Sequence, residues 1–265
     1  MSRGKFIAFE GTDGAGKTTL INNVGDIMNS LIGKTVIIRN PSPDHIHYDR
    51  LRKMLADENT SGDELQFYMT KNFFDLMKTV EERLNRGINV LLDRWLISFF
   101  VYSMDNPRNQ FWKVLARMNN LFTLSDSINW VQESLHIIDF KILTGLLANP
   151  SNIYPDLVFG LSAAWKTIKT RAEQRVKEGA KEPNDVDIER IRVHYNAYFN
   201  IFNSITRDET IYNILDTTMR FECPNFKLIP VPCVDSTETD HGKITAAYSM
   251  MEKQAYKEIG KLFKK

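Results

Sequence analysis

Cysteine is nearly absent. Cys223 and Cys233 are the only two in 265 residues, too few and too plainly spaced for a disulfide framework or a zinc site. Two ordinary thiols in a reducing compartment are the expectation. The five histidines form no catalytic cluster, so nothing points to a Ser/His/Asp-type nucleophile. Charge of either sign is not in excess: 34 Lys and Arg face 33 Asp and Glu, a formal net of +1. No global field therefore draws nucleic acid or an anionic membrane, and any anion site must be local. No apolar run approaches the ~18 residues of a membrane span. The chain enters an apolar strand almost at once, which leaves no room for a signal peptide, and a cytoplasmic location is the expectation. Repeats, low-complexity tracts and proline-rich linkers are missing as well. One domain over 1–265 is expected, and 43% hydrophobic residues suffice for a sizeable core.

What is present is concentrated near the start. Gly11-Thr12-Asp13-Gly14-Ala15-Gly16-Lys17-Thr18 is a complete phosphate-binding loop of the form G-x-x-x-x-G-K-S/T. The apolar run Lys5-Phe6-Ile7-Ala8-Phe9 precedes it, and Thr18-Thr19-Leu20-Ile21 reads as the start of a helix. Such a loop curls its N–H groups inward at phosphate oxygens, at the positive end of the helix dipole. Lys17 then bridges the terminal phosphates and the Thr18 hydroxyl can ligate Mg²⁺. A nucleoside triphosphate is the implied ligand.

Downstream, periodicity predicts a helix over about 17–31 stopped by Gly33, a strand at 35–38, helices over 49–56 and 63–86, and a buried strand at 88–92. A further strand at 157–161 precedes a charged helix over 166–177. A helix over 185–204, a strand at 227–231 and a helix over 243–263 close the chain. Strands alternating with helices imply an α/β fold, a parallel sheet covered on both faces, with ligands beyond the carboxyl ends of its strands. Directly behind the strand ending at Leu92 stand Asp93 and Arg94. An Asp there can hold Mg²⁺, directly or through water, and the adjacent Arg can clamp a phosphoryl group in transfer.

Glu10 to Thr19 closely resembles the phosphate loop of thymidylate kinases, usually EGxDGAGKTT. Asp93-Arg94-Trp95, Ser98 and Tyr102 are similar to that family's DR(Y/H)xxSxxAY pattern, with Trp in place of Tyr or His. Pro155-Asp156-Leu157, Arg171, Arg190-Ile191-Arg192 with Tyr195, and Leu51-Arg52-Lys53-Met54-Leu55 resemble its further landmarks, in the right order. The resemblance implies a P-loop nucleoside monophosphate kinase fold with a five-stranded parallel sheet, MgATP as donor, dTMP as acceptor, and a homodimer. It further implies that Asp13 faces the acceptor sugar, that Phe67 stacks the base, and that Lys71 stands where an Arg usually meets a base carbonyl. Arg39, Arg52 and Arg94 become candidates for the acceptor phosphate. Tyr102 becomes the ring that crowds the ribose 2′ position, and Ser98 a member of the same site or of the helix packing behind it.

Some members carry an Arg within the phosphate loop, and others supply the cation from a lid; Gly14 holds that position here. The resemblance then implies a lid over about 171–186, with Arg171 and Arg175 as the leading cations and Lys177 and Lys181 as lesser ones. Two stretches exceed the family pattern. One is an insert over about 104–153 whose Trp112, Phe122, Trp130 and Leu135 suggest packed helices, and the other is a smaller excess over 205–230. A kinase for another deoxynucleotide or for a nucleoside remains an alternative, as does a nucleotide-binding module without turnover.

Overall fold

The computed structural model describes residues 2–43, 46–57, 60, 62–104, 138–139, 154–179, 187–206, 211–214, 217–220, 225–231 and 241–264. Five strands form one parallel sheet: β1 (Phe6–Glu10), β2 (Thr35–Arg39), β3 (Asn89–Asp93), β5 (Leu157–Ser162) and β8 (Phe226–Pro230), in the order β2-β3-β1-β5-β8. In the described residues the helices are α1 (Lys17–Leu31), α2 (Tyr48–Ala56), α3 (Gly62–Asn85), α4 (Leu96–Met104), α5 (Trp165–Lys177), α6 (Ile188–Thr206) and α7 (His241–Leu262).

Side-chain alternation sorts the strands into two cores. Phe6 and Ala8 of β1, with Val90 and Leu92 of β3, face α3, α4 and the end of α6. Ile7 and Phe9, with Leu91 of β3 and Phe159 of β5, face α1, α5 and α7. Both faces are covered, which is why β1 and β3 are buried along their whole length and are apolar at every position except Asn89 and the carboxylates at their ends, Glu10 and Asp93. The same alternation aims the two acids at the strand ends. Glu10 falls on the face of Phe6 and Ala8, under α4, and Asp93 on the face of Leu91, beside α1 and its loop. Gly160 is required by packing: a Cβ there would lie 2.4 Å from the Phe226 ring.

Two landmarks have structural duties. Asp156 accepts a hydrogen bond from Phe6 N (2.8 Å) and pairs with Arg3 and Lys5. Arg192 lies over the Trp165 ring at 5.9 Å.

The elements differ from expectation at several points. Asp93 is the last residue of β3 rather than the first beyond it, because β2 and β3 pair through Arg39↔Asp93. Helix α6 begins at Ile188, behind Asp187, whose side chain accepts a hydrogen bond from Arg190 N (3.0 Å) and so caps the helix. The 205–230 excess contains an antiparallel pair, β6 (Ile211–Ile214) with β7 (Thr217–Arg220), and β4 (Ile138–Asp139) runs parallel to β7. The rest of the insert expected over 104–153, with its four apolar landmarks, lies outside the described residues. So do both cysteines and the lid segment beyond Gly179, Lys181 included.

Candidate active site

The phosphate loop leaves β1 and enters α1 through left-handed glycines, Gly14 at φ 82° and Gly16 at φ 86°. Lys17 is buried behind it, its ammonium donating to the carbonyl oxygens of Gly11 (2.7 Å) and Thr12 (2.9 Å). An ammonium has three donors, so one N–H remains for a phosphate oxygen. Burial, seconded by the like charge of Arg94, pushes the Lys17 pKa down to about 8, against the pull of Asp13, Asp93 and Glu10.

Asp13 turns away from the loop's interior. Its carboxylate pairs with Arg94 Nη2 and accepts a hydrogen bond from the Tyr102 hydroxyl (2.5 Å). Burial alone would raise its pKa, but the charges of Arg94 and Lys17 and the Tyr102 bond hold it well below the usual carboxylate range. Asp13 is therefore a pure acceptor at neutral pH. Its partner Arg94 adopts φ 77°, a left-handed conformation that costs a non-glycine residue roughly 1–3 kcal/mol and tends to occur at functional sites. That turn lets Arg94 N donate to Phe9 O (3.0 Å) and carries the guanidinium back across the loop. There Nη1 donates to Gly11 O (3.2 Å), and the guanidinium stands 4.9 Å from the Tyr102 ring centroid.

Behind them, Glu10 accepts hydrogen bonds from Trp95 N (2.9 Å), Ser98 N and the Ser98 hydroxyl, and so caps the start of α4. Burial still raises its pKa, outweighing those bonds.

Two cavities flank this cluster. One, of about 220 Å³, is lined by Asp13, Arg39, Tyr48, Arg52, Arg94, Ser98 and Tyr102, with an apolar wall of Leu55, Met69 and Phe99. The other, of about 570 Å³, is lined by Asp13, Gly14, Gly16, Lys17, Thr18, Thr19, Arg171, Gln174, Arg175 and Tyr248. Both also contain Arg39, Asp93 and Arg94, so they meet at Asp13, Arg39, Asp93 and Arg94. On the far side Arg171 donates to Gly14 O (2.6 Å) and to the Tyr248 hydroxyl (2.7 Å).

A divalent cation fits the residues present. Asp93 Oδ1 is buried without a hydrogen-bond partner among the described residues, an expensive state for a carboxylate oxygen unless a ligand completes it. With the exposed Thr18 hydroxyl on the same cavity, the donors are hard oxygens of the kind Mg²⁺ takes.

The structure thus brings together most of the residues singled out above. Asp13, Lys17, Thr18, Arg39, Arg52, Asp93, Arg94, Ser98, Tyr102, Arg171 and Arg175 all line one cavity or the other. Lys71 and Lys177 are exposed and line neither cavity as the described residues define them. The Phe67 side chain lies outside the described residues. Ser98 is 3% exposed, and its hydroxyl is engaged by Glu10 and Tyr198, which makes it a part of the site's frame. Three tyrosines were not legible as site residues. Tyr48 is four before Arg52 on α2, a spacing that could have exposed it. Tyr198 and Tyr248 sit on helices whose pattern reads only as core-facing.

Comparison with known proteins is consistent with this arrangement. A family model described as thymidylate kinase matches residues 9–126. The chain is similar to a thymidylate kinase of Thermosipho africanus, 25% identical over 193 residues that cover 72% of this chain and 82% of that one. It is similar to one of Mycoplasma mobile at 28% over 207 residues, 76% and 85% of the two chains. Among solved structures, a thymidylate kinase from Candida albicans superposes with TM-score 0.57 at 15% identity, covering 96% of this chain and 94% of its own. One from Ehrlichia chaffeensis does so with TM-score 0.54 at 13% identity, covering 97% and 99%. At these identities the structural likeness speaks for the fold.

Proposed function

The chain belongs to the thymidylate kinase family, and from that premise we propose that it transfers the γ-phosphoryl group of MgATP to dTMP, giving ADP and dTDP. The observation that carries the reading is the meeting of the two cavities at Asp13, Arg39, Asp93 and Arg94. Phosphoryl transfer asks little covalent chemistry of a protein; it asks that two phosphates be held in line and their charge be met. The loop N–H groups, Lys17 and Arg171 hold the donor side. Arg39, Arg52 and Arg94 hold the acceptor phosphate, with Arg94 placed to reach the group between them. The acceptor oxygen is already anionic, so no general base is required. Asp13, kept ionised, receives the acceptor sugar hydroxyl, and Tyr102 beside it crowds the ribose 2′ position. Leu55, Met69 and Phe99 offer the base an apolar wall. A Mg²⁺ ion held by Thr18 and Asp93 would neutralise charge on the phosphate oxygens.

A coupled assay of ADP release across nucleoside monophosphates tests the reading. dTMP should exceed UMP, dCMP and dGMP in kcat/KM. Preference for dCMP or dGMP would overturn the base pocket, and no turnover with any acceptor would overturn the activity.

The depressed Lys17 pKa adds a pH signature. Only the protonated amine serves the triphosphate, and kcat/KM for ATP reports the free enzyme. That parameter should fall as pH rises through about 8, the folded-state value for Lys17. At saturating ATP the bound phosphates restore the charge, so kcat should stay level to higher pH. A flat kcat/KM for ATP between pH 7 and about 9.5 would contradict this role.

A further inference from the structure

Helix α6 sends two side chains into the back of the site, His194 and Tyr198, four apart and so on one face. Both are 2% exposed. The His194 ring packs on Tyr102 at 4.3 Å between centroids, and the Tyr198 hydroxyl lies 2.6 Å from Ser98 Oγ and 3.3 Å from Arg94 Nη1. The directions of these bonds follow from chemistry. A guanidinium only donates, and the Ser98 hydroxyl spends its one proton on the Glu10 carboxylate. Tyr198 must therefore accept from Arg94 and donate to Ser98. The result is a one-way chain, from the Arg94 N–H through the Tyr198 and Ser98 hydroxyls to Glu10. Each link polarises the next in a buried, low-dielectric setting.

We propose that Tyr198 is a positioning residue for Arg94, fixing the guanidinium where the two cavities meet through this chain. The proposal rests on the kinase reading, in which Arg94 clamps the phosphoryl group in transfer. The other holds on Arg94 are less suited to the task. Asp13 is the carboxylate that the acceptor sugar engages, Gly11 O belongs to the loop that wraps the donor phosphates, and the Tyr102 face does not set the guanidinium's rotation. Tyr198 alone of these partners is rooted in the hydrophobic core, packed against Phe202 with ring centroids 5.5 Å apart. Its chain ends on Glu10, which caps the start of α4, so Arg94 keeps a hydrogen-bonded tie to the frame when Asp13 turns to substrate.

Tyr198→Phe keeps the ring and removes the hydroxyl. It should lower kcat with dTMP about 10-fold, leave KM for ATP within twofold, and leave the fold intact by melting temperature. Phe202→Leu is the control for packing alone: it should lower the melting temperature at least as much while kcat stays within twofold. Were Tyr198→Phe to melt below the assay temperature, Ser98→Ala, which cuts the chain one link further from Arg94, should lower kcat by a similar factor. The double variant Tyr198→Phe with Ser98→Ala should lose no more than the worse single, since both act through one chain. A kcat within twofold of the parent in Tyr198→Phe, or in Ser98→Ala if that variant carries the test, overturns the proposal. So does a Phe202→Leu loss of kcat as large as that of Tyr198→Phe. An inactive parent chain instead overturns the kinase reading beneath it.

Discussion

Lys17→Ala should lower kcat/KM for ATP by about 10³-fold while leaving the melting temperature at pH 7 unchanged or slightly raised. The activity loss follows from removing a full positive charge from the floor of the phosphate loop. Even a single neutral donor to a developing oxyanion is worth about 10²–10³ in rate. The stability side is less intuitive, because Lys17 is 6% exposed and tied to two loop carbonyls. Its pKa in the folded chain is about 8, below the ordinary 10.5, so between those values the folded state binds fewer protons than the unfolded. Stability from this group therefore rises with pH across that window, and below about 8 the charged ammonium is a standing cost to the fold. Alanine removes that cost together with the two hydrogen bonds, and the two effects oppose each other. A melting temperature several degrees lower at pH 7, or a kcat/KM within tenfold of the parent, would be incompatible with Lys17 as a phosphate ligand held at the expense of folding.

Much of this site is legible in the sequence because its residues sit at strand ends or in a contiguous loop. Asp13 and Lys17 come with the loop itself. Asp93 ends and Arg94 follows a strand buried on both faces, whose mostly apolar run from Ile88 to Leu92 marks it out. Tyr102 lies two turns along the next helix. The residues that escape come from elements whose placement is decided by tertiary packing. Tyr198 belongs to a helix pattern that also buries Ile201 and Phe202, so it reads as core, and only the crossing of α6 over α4 brings its hydroxyl to Arg94. Tyr248 reaches Arg171 only because α7 returns along α1 beside the loop. The fold shows the same division. The five parallel strands follow from apolar runs, whereas Ile211–Ile214 and Thr217–Arg220 are four residues each and carry too little alternation to stand out.

Arg175→Ala should lower kcat by at least about 100-fold with little change in KM for dTMP, the pattern of an interaction made mainly in the transition state. As phosphoryl transfer proceeds, charge spreads over the equatorial oxygens of the moving group, and cations supplied there are worth ~10³–10⁵ in rate in other phosphoryl-transfer enzymes. With glycine at position 14, Lys17 is the only cation within the loop. The geometry around Gly14 indicates the source: a Cβ built there would come 2.9 Å from Arg175 Nη2 and 3.8 Å from Arg171 Cβ. The Arg175 guanidinium thus lies against the place where a side chain at residue 14 would begin. Arg171, four residues earlier on the same face of α5, is committed to Gly14 O and Tyr248. It is better placed to hold the loop and the donor nucleotide than to follow the moving group, so Arg171→Ala should raise KM for ATP as well as lower kcat. Lys177 is exposed and lines neither cavity, so Lys177→Ala should cost less than threefold. Restoring a cation from the loop side, Gly14→Arg combined with Arg175→Ala, would meet the φ 82° backbone at that position, so any recovery should be partial. If Arg171→Ala and Arg175→Ala both leave kcat within threefold of the parent, the transition-state charge is met by Arg94 and Lys17 alone, and α5 has no part in the chemistry.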